Sequence, residues 1–266
     1  MRFLCKACGT QFADSGDEPP AGCPICEDER QYIPLAGQQW TTLDDVRDSH
    51  EAEVREQEPA LTGIGMEPSF AIGQRALLVE SAAGNVLWDC LPLLEVHERF
   101  VRERGGLAAI AISHPHYYTT MVEWAHAFAC PILIHEAERE WVMRPDAAVE
   151  FWSGELRELS HDLTLLRLGG HFEGGQVLHW RKGAEGRGAL LSGDIVQVVA
   201  GAKWVSFMYG YPTLIPLPAR EVERIAAALE PWEFEPIYGA WWDSVVREDG
   251  KNVVRRSAER YLRAIS

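Results

Sequence analysis

The sequence predicts a mixed α/β domain preceded by a small unit that a metal ion stabilises. Short apolar runs typical of strands begin near residue 70, and segments with helical spacing lie between them. Strands interleaved with helices indicate sheets covered by helices. Four cysteines fall in two close pairs within the first 26 residues. The 266 residues suffice for one large α/β domain with a small appendage.

The first 36 residues form the predicted metal unit, which we call the knuckle (residues 1–36). Cys5 and Cys8 are separated by two residues, and so are Cys23 and Cys26. This spacing lets a tight turn aim two thiolates at one ion, and two such turns complete a tetrahedron. The segment has too few apolar positions to bury a stable core without a bound metal ion. We therefore expect one structural zinc ion held by all four cysteines.

Three alternatives to zinc remain open for the knuckle: an iron site of the rubredoxin type, a redox dithiol and unpaired thiols. Both cysteine pairs resemble rubredoxin knuckles, but the loop between Cys8 and Cys23 is shorter than rubredoxins use. In a cytosolic protein, clustered cysteine pairs indicate metal more often than disulfide. The remaining cysteines, Cys90 and Cys130, lie alone in apolar surroundings.

Residues 37–67 are predicted to be a polar connector between the knuckle and a domain over residues 68–266. Acidic and other polar residues dominate this stretch from residue 41 to 60. Thr42 followed by Asp45 has the pattern of a capping pair, so we expect part of the connector to form a solvated helix.

The elements of the larger domain follow from short apolar runs and helical spacing. Residues 82–85 predict a hairpin turn between two apolar runs. Further strands are predicted at residues 107–113, 131–135, 163–169, 176–180, 188–194 and 235–239. Helices are predicted at residues 91–103, 120–129, 136–143, 219–230 and 250–264.

Three histidines and one aspartate each follow an apolar strand. His114 and His116 come straight after the run at 107–113, and residues two apart in extended backbone point the same way. His171 follows the run at 163–169, and Asp194 ends the run at 188–194. Three imidazoles and a carboxylate are a typical set of ligands for zinc or another divalent ion.

This order of motifs resembles the metallo-β-lactamase superfamily over roughly residues 68–240. The matching features are a strand ending in Asp89, a His-x-His pair after the next strand, a Gly-His and a Ser-Gly-Asp. The resemblance implies an αββα sandwich with metal ions at one edge of two sheets. It also implies that His114, His116, His171 and Asp194 surround an ion.

The departures from the family pattern concern the second metal ion. The family's first motif continues with an aspartate and a histidine, where this chain has Tyr118 and Thr119. Its last histidine is expected near Ala240 and Trp241. The resemblance therefore implies a site for one ion, with the second site lost.

The surviving ligands predict a mononuclear metal-dependent hydrolase of a small ester, thioester, lactone or phosphoester. Three imidazoles on one zinc leave a position for water, whose pKa falls toward about 7. Asp194 is expected to be a fourth ligand or to orient that water. Two alternatives are a non-catalytic member of the fold that binds a ligand or protein partner, and a redox protein. The redox hypothesis is the least favoured, because redox members of the superfamily hold their irons with the second-site residues that are missing here.

The charge balance limits the partners. Twenty-five basic and forty acidic residues give a net charge of -15, which repels nucleic acid and anionic membranes. No stretch approaches the roughly 20 apolar residues of a membrane span, and the N-terminus has no apolar signal core. We expect a cytoplasmic protein with a small-molecule substrate, and homo-oligomer formation is left open.

Overall fold

The computed structural model describes residues 1–266 and divides into two compact units, Met1–Phe151 and Trp152–Ser266. Each unit contains one large sheet, of seven strands in the first and six in the second. None of the helices combines the length and the apolar character that a membrane span needs.

The first unit contains nine strands and four helices. The strands are β1 (Phe3–Cys5), β2 (Trp40–Thr42), β3 (Glu51–Glu58), β4 (Leu61–Glu67), β5 (Ala76–Val79), β6 (Val86–Trp88), β7 (Ala109–Ala111), β8 (Ile132–His135) and β9 (Val149–Trp152), the last of which ends one residue past the unit. The helices are α1 (Pro24–Glu27), α2 (Leu43–Ser49), α3 (Glu95–Glu103) and α4 (Met121–Phe128), with 3₁₀ turns at Pro115–Tyr117 and Glu136–Trp141. Strands β3 to β9 form the large sheet in sequence order, and β1 pairs with β2.

Parallel pairing in the middle of this sheet sets the position of the candidate site. Strand β6 pairs in parallel with β7, and β7 with β8, with α3 and α4 between them in sequence. Buried parallel strands are near-continuous apolar runs, as these three are. The carboxyl ends of β6 and β7 therefore lie side by side, which brings the segments that follow Trp88 and Ala111 together.

The connector predicted over residues 37–67 is only partly found. Helix α2 begins with the predicted capping box, in which Asp45 N donates to the Thr42 hydroxyl at 3.2 Å and Thr42 N to the Asp45 carboxylate at 3.0 Å. Residues 51–67, however, form the antiparallel hairpin β3–β4 at the sheet edge, so the connector prediction is wrong there. Strand β3 is rich in Glu, Arg and Gln, which favour helix. Pairing with the buried strand β4 overrides that preference.

The helix predicted at residues 136–143 is a 3₁₀ turn that ends at Trp141. Its first residue is preceded by His135, whose Nδ1 accepts a hydrogen bond from Ala137 N at 3.3 Å. Pro145 disfavours helical backbone at the residue before it, which limits the helix on its C-terminal side. The histidine that ends β8 thus has a structural role as a cap.

The second unit contains ten strands and three helices. The strands are β10 (Leu156–Ser160), β11 (Leu163–Arg167), β12 (Gln176–Trp180), β13 (Ala189–Gly193), β14 (Gln197–Val198), β15 (Val205–Ser206), β16 (Met208–Gly210), β17 (Ile215–Pro216), β18 (Ile237–Gly239) and β19 (Val245–Val246). The helices are α5 (Gly183–Gly186), α6 (Ala219–Leu229) and α7 (Gly250–Ile265). The large sheet has the order β10-β11-β12-β13-β18-β19, with β13 and β18 parallel.

Helices α6 and α7 supply part of the core of the second unit. Their buried side chains, including Val222, Ile225 and Val253, pack in one cluster with Leu190 of β13 and Ile237 of β18. The apolar positions of α6 recur at helical spacing, which is why the helix buries one face against the sheet.

A fully buried histidine makes the stability of the first unit depend on pH. His97 on α3 donates from Nε2 to the Gly65 carbonyl oxygen at 2.8 Å, and its ring stacks on Trp124. Burial lowers the pKa of His97 to about 4, although the bond to Gly65 acts in the opposite direction. Because the fold favours the neutral ring, this stabilisation is complete above about pH 6.5 and is lost as the pH falls toward 4.

We predict that replacing His97 with Gln flattens the acid dependence of unfolding. The wild-type free energy of unfolding should fall by up to about 3 kcal/mol more than that of His97→Gln between pH 7 and pH 4. Chemical denaturation at several pH values measures this difference. His126→Gln, which changes an exposed histidine on α4, is the matched control. Parallel stability curves for wild type and His97→Gln would contradict the assignment.

Candidate metal centres

The four knuckle cysteines converge at distances that fit one bound ion. Cys5 Sγ lies 3.6 Å from Cys26 Sγ, and Cys8 Sγ lies 3.7 Å from Cys23 Sγ. A disulfide needs an S–S distance of about 2.05 Å. A tetrahedral zinc with Zn–S bonds of about 2.3 Å separates its sulfurs by about 3.8 Å. All four thiols are free and buried, and they lie within 4.8 Å of one another, so they can hold a metal ion.

Backbone turns and amide donors shape this thiol cluster. Cys5 ends β1, and Gly9 N donates to the Cys5 carbonyl oxygen at 2.8 Å to close the first turn. Gly9 has φ of +82°, which favours glycine at that position. Ala7 N and Gln38 Nε2 donate to Cys5 Sγ at 3.4 and 3.1 Å. Hydrogen bonds to sulfur stabilise the thiolate form that binds metal.

The electrostatics of the cluster disfavour four thiolates in the absence of a cation. Contact with Cys23, and then with Cys26 and Cys8, lowers the pKa of Cys5 far below its usual range. The contact with Cys23 also raises the pKa of Cys8 and of Cys26, and burial adds to the effect. Four adjacent thiolates therefore require the positive charge of an ion, and an all-thiolate set suits zinc or iron.

The first two predicted histidines follow β7 in a segment held by Asp89. Asp89, directly after β6, accepts a hydrogen bond from Ser113 N on its carboxylate at 2.7 Å. The Ser113 hydroxyl lies 2.9 Å from His114 Nδ1. The rings of His114 and His116 lie 4.9 Å apart between centroids and are inclined at 76°. Asp89 and Ser113 thus orient the His114 ring through the contact at its Nδ1. Metal-binding histidines commonly have such a hydrogen-bonding partner on one ring nitrogen.

The third predicted histidine belongs to the second unit and follows β11. Gly169 and Gly170 have φ of +61° and +84°, which allow the sharp turn that precedes His171. The His171 Nδ1 is hydrogen-bonded to the Tyr209 carbonyl oxygen. As the donor in that bond, Nδ1 leaves Nε2 as the nitrogen available to a metal ion.

His114, His116 and His171 offer one ligand nitrogen each within 4.8 Å of one another, and we call these three residues the histidine group. All three side chains are buried. Neutral imidazoles suit zinc and other divalent ions, and three of them leave a coordination position open. The donor set therefore fits a divalent ion.

The carboxylate of Asp194 is not a member of the histidine group at that distance. Asp194 follows β13, is buried, and accepts a hydrogen bond from the Tyr211 hydroxyl on its backbone oxygen at 2.7 Å. Its predicted role as fourth ligand or water-orienting base stays a prediction. The chain thus brings together three of the four side chains that the strand-end pattern selected.

The positions of the second-ion ligands in the family pattern hold neutral side chains. Tyr118 and Thr119 are both buried. Burial, and then the nearby Glu138, raises the pKa of Tyr118, so its phenol stays protonated at neutral pH. Only two groups of three or more metal-ligating side chains occur in the structure, the knuckle cysteines and the histidine group.

Sequence reasoning missed Ser113 and Tyr209, which contact the histidine group from behind. A serine before a histidine carries no distinctive signal, and Tyr209 contributes a backbone carbonyl that any residue could supply. Asp89 was selected only because its strand resembled one in the superfamily.

Comparison with known proteins gives one close relative, while no protein-family model matches the chain. The uncharacterized protein YmaE of Bacillus subtilis (strain 168) is 52% identical over 267 aligned positions, which cover 99% of this chain and 97% of YmaE. The chain belongs to the same family as YmaE. The YmaE family therefore includes a chain with both the knuckle cysteines and the histidine group.

Solved structures show the fold of this YmaE-family chain. DIM-1 metallo-β-lactamase matches with a TM-score of 0.62 at 14% identity, over 81% of this chain and 98% of that one. A B3 metallo-β-lactamase with an active-site glutamic acid matches with a TM-score of 0.54 at 16% identity, over 94% and 96%. A metallo-β-lactamase of Cronobacter sakazakii matches with a TM-score of 0.53 at 14% identity, over 84% and 96%. The predicted metallo-β-lactamase fold is confirmed.

We predict that the knuckle loses its ion when one of its ligands is replaced. Metal analysis of purified Cys23→Ser should find one ion per chain fewer than in wild type, because three thiolates leave the tetrahedron incomplete. Cys130→Ser is the control, since Cys130 is buried outside the knuckle. Equal metal content in both variants, or a disulfide among the knuckle cysteines in the non-reduced protein, would refute the site.

Proposed function

We propose that this protein is a mononuclear metal-dependent hydrolase that acts on a small ester, thioester, lactone or phosphoester. The observation that carries the proposal is the histidine group, three buried imidazoles whose ligand nitrogens lie within 4.8 Å of one another. The solved structures of similar fold that are named metallo-β-lactamases support the same reaction class.

The chemistry would come from a water molecule activated at the histidine group. When bound, a divalent ion supplies a Lewis acid that lowers the pKa of that water toward about 7. The Ser113 hydroxyl and the Tyr209 carbonyl contact His114 and His171 at Nδ1, so the two rings are already oriented and little reorganisation is needed to bind an ion. Asp194 is the proposed fourth ligand or the group that orients the water.

One ion is proposed, rather than two, because of the donor chemistry next to His116. A protonated phenol and a threonine hydroxyl at positions 118 and 119 are poor zinc ligands. Trp241 offers only an indole N–H, which cannot coordinate. Without a second ion to hold the leaving group, an acyl or phosphoryl substrate with a good leaving group fits this site best.

The proposed substrate is a small molecule, and neither nucleic acid nor a membrane surface is a proposed partner. The net charge of -15 disfavours long-range attraction to phosphate backbones and to anionic lipids. A cytoplasmic location and the oligomeric state remain expectations from the sequence.

A second candidate is a non-catalytic protein of this fold that binds a ligand or a protein partner. Buried Tyr118 and Thr119, in place of second-ion ligands, favour it. The two candidates differ in one measurable respect. The hydrolase turns over a model substrate when loaded with zinc, whereas the non-catalytic protein binds the ion without turnover.

We predict that the zinc-loaded protein hydrolyses at least one member of a panel of model esters, thioesters, lactones and phosphoesters. The rate should rise between pH 6 and pH 8 as the activated water ionises. His116→Ala should lower kcat/KM by on the order of 100-fold or more, because it removes a ligand. His126→Ala is the control, since His126 is an exposed residue of α4 paired with Asp146.

Turnover that survives His116→Ala would place the chemistry elsewhere. A zinc-loaded protein that is inactive across the whole panel would favour the non-catalytic candidate. Two ions about 3.5–4 Å apart, the spacing of two-metal hydrolases, would contradict the mononuclear assignment.

A further inference from the structure

The first turn of the knuckle lies directly against the segment that carries His114 and His116. Gln11 N donates to the Thr119 carbonyl oxygen at 3.1 Å. A Cβ placed on Gly9 would meet Thr119 Cγ2 at 3.1 Å and Ala71 Cβ at 3.3 Å. The turn that presents Cys5 and Cys8 therefore lies so close to Thr119, three positions after His116, that a side chain at Gly9 would crowd it.

A buried polar network ties the knuckle to the helix that follows this segment. Arg144 is buried, and its guanidinium donates to Gln11 Oε1 and, at 2.7 Å, to Glu123 Oε1. Gln11 Nε2 also donates to Glu123 Oε1, at 3.4 Å. Glu123 lies in the first turn of α4, so Gln11 contacts both the histidine segment, at Thr119, and the helix after it.

The apolar side of the knuckle is built partly from residues outside it. The cysteines, Phe12 and Ile25 form one buried cluster, against which Trp141 and Met143 pack. Ala13 N donates to the Met143 carbonyl oxygen at 3.2 Å. Because an ion in a four-thiolate site contributes its binding free energy to local folding, it also stabilises these contacts.

The backbone at Thr119 requires support from its surroundings. Thr119 has φ of +35°, which is unusual for a β-branched residue. Such a conformation persists only where neighbouring structure fixes it. The knuckle supplies that support through the Gln11 hydrogen bond and the close approach of its backbone at Gly9.

We propose that the knuckle holds the histidine segment (residues 114–119) in its ion-binding conformation, so that ion binding at the cysteines and at the histidine group is coupled. Gln11 is the positioning residue of this coupling, because its side-chain bonds to Glu123 and Arg144 fix the backbone whose N–H donates to Thr119. The inference rests on the proposed function only in that the histidine group must bind an ion. By thermodynamic linkage, each ion raises the affinity for the other by the same factor.

The test compares Gln11→Met with Gln31→Met. Gln11→Met keeps the backbone bond to Thr119 and the side-chain length, but removes the polar ties to Glu123 and Arg144. Gln31→Met makes the same change elsewhere in the knuckle, at a buried residue whose side chain accepts from the adjacent Tyr32 N. Cobalt bound by thiolates absorbs differently from cobalt bound by imidazoles, so titrations with cobalt and competing chelator measure each site separately.

We expect Gln11→Met to retain the thiolate-cobalt spectrum and to weaken cobalt binding at the histidine group about tenfold, a common size for the loss of a supporting residue. Gln31→Met should bind cobalt at both sites as wild type does. Reciprocally, His116→Ala should weaken the thiolate site by the factor measured for the loss of coupling. These readouts do not depend on turnover.

The outcomes separate this inference from the proposed function. If two ions bind and Gln11→Met leaves the affinity of the histidine group unchanged, the coupling is overturned and the proposed function stands. Equal weakening in Gln11→Met and Gln31→Met also overturns it, because general loosening of the knuckle then explains the effect. If the wild type binds only the thiolate-held ion, the proposed function fails and the coupling fails with it.

Discussion

The convergence of buried ligand side chains that need a cation is the constraint on which this structure depends. In the knuckle, four buried thiols within 4.8 Å of one another cannot all ionise without a positive charge among them. Nearby residues are arranged around that requirement: Gly9 turns the backbone, and Ala7 and Gln38 donate to sulfur. The residues next to these thiols then contact Thr119, so the ion's stabilisation extends beyond the knuckle.

The histidine group depends on a second constraint, the parallel pairing of β6 with β7. That pairing brings Asp89 and Ser113 to neighbouring strand ends, where the carboxylate accepts from the serine backbone. The serine hydroxyl is in turn within hydrogen-bonding distance of His114. Each of these contacts is short-range, but the order of the strands brings the contacting residues to the same edge of the sheet. Functional sites of α/β folds commonly lie at such strand ends.

The sequence could predict those features whose cause is local. Cysteine spacing predicted the thiol cluster, and apolar runs predicted β5 to β8 together with the histidines that follow β7. The order of motifs predicted the fold. Strand β3 was missed because its Glu, Arg and Gln residues favour helix and only its partner β4 makes it a strand. Asp194 was selected as a strand-end residue, and that pattern could not tell how close its carboxylate lies to the histidines.

Contacts between distant parts of the chain were beyond the reach of sequence patterns. Gln11 and Arg144 are 133 positions apart, and neither belongs to a recognisable motif. Their contact exists because the knuckle packs near the end of the 3₁₀ turn at Glu136–Trp141. The coupling proposed between the two ion sites rests on these contacts, which only the three-dimensional structure reveals.

Both proposals require that one chain holds two separate ions, one among thiolates and one among imidazoles. X-ray absorption at the zinc edge of the fully loaded protein tests it most directly. Two such ions should give two ligand shells, sulfur at about 2.3 Å and nitrogen or oxygen at about 2.0–2.1 Å, with no zinc–zinc scattering near 3.5–4 Å. A spectrum that sulfur alone explains, or one that contains the short zinc–zinc distance, would contradict it.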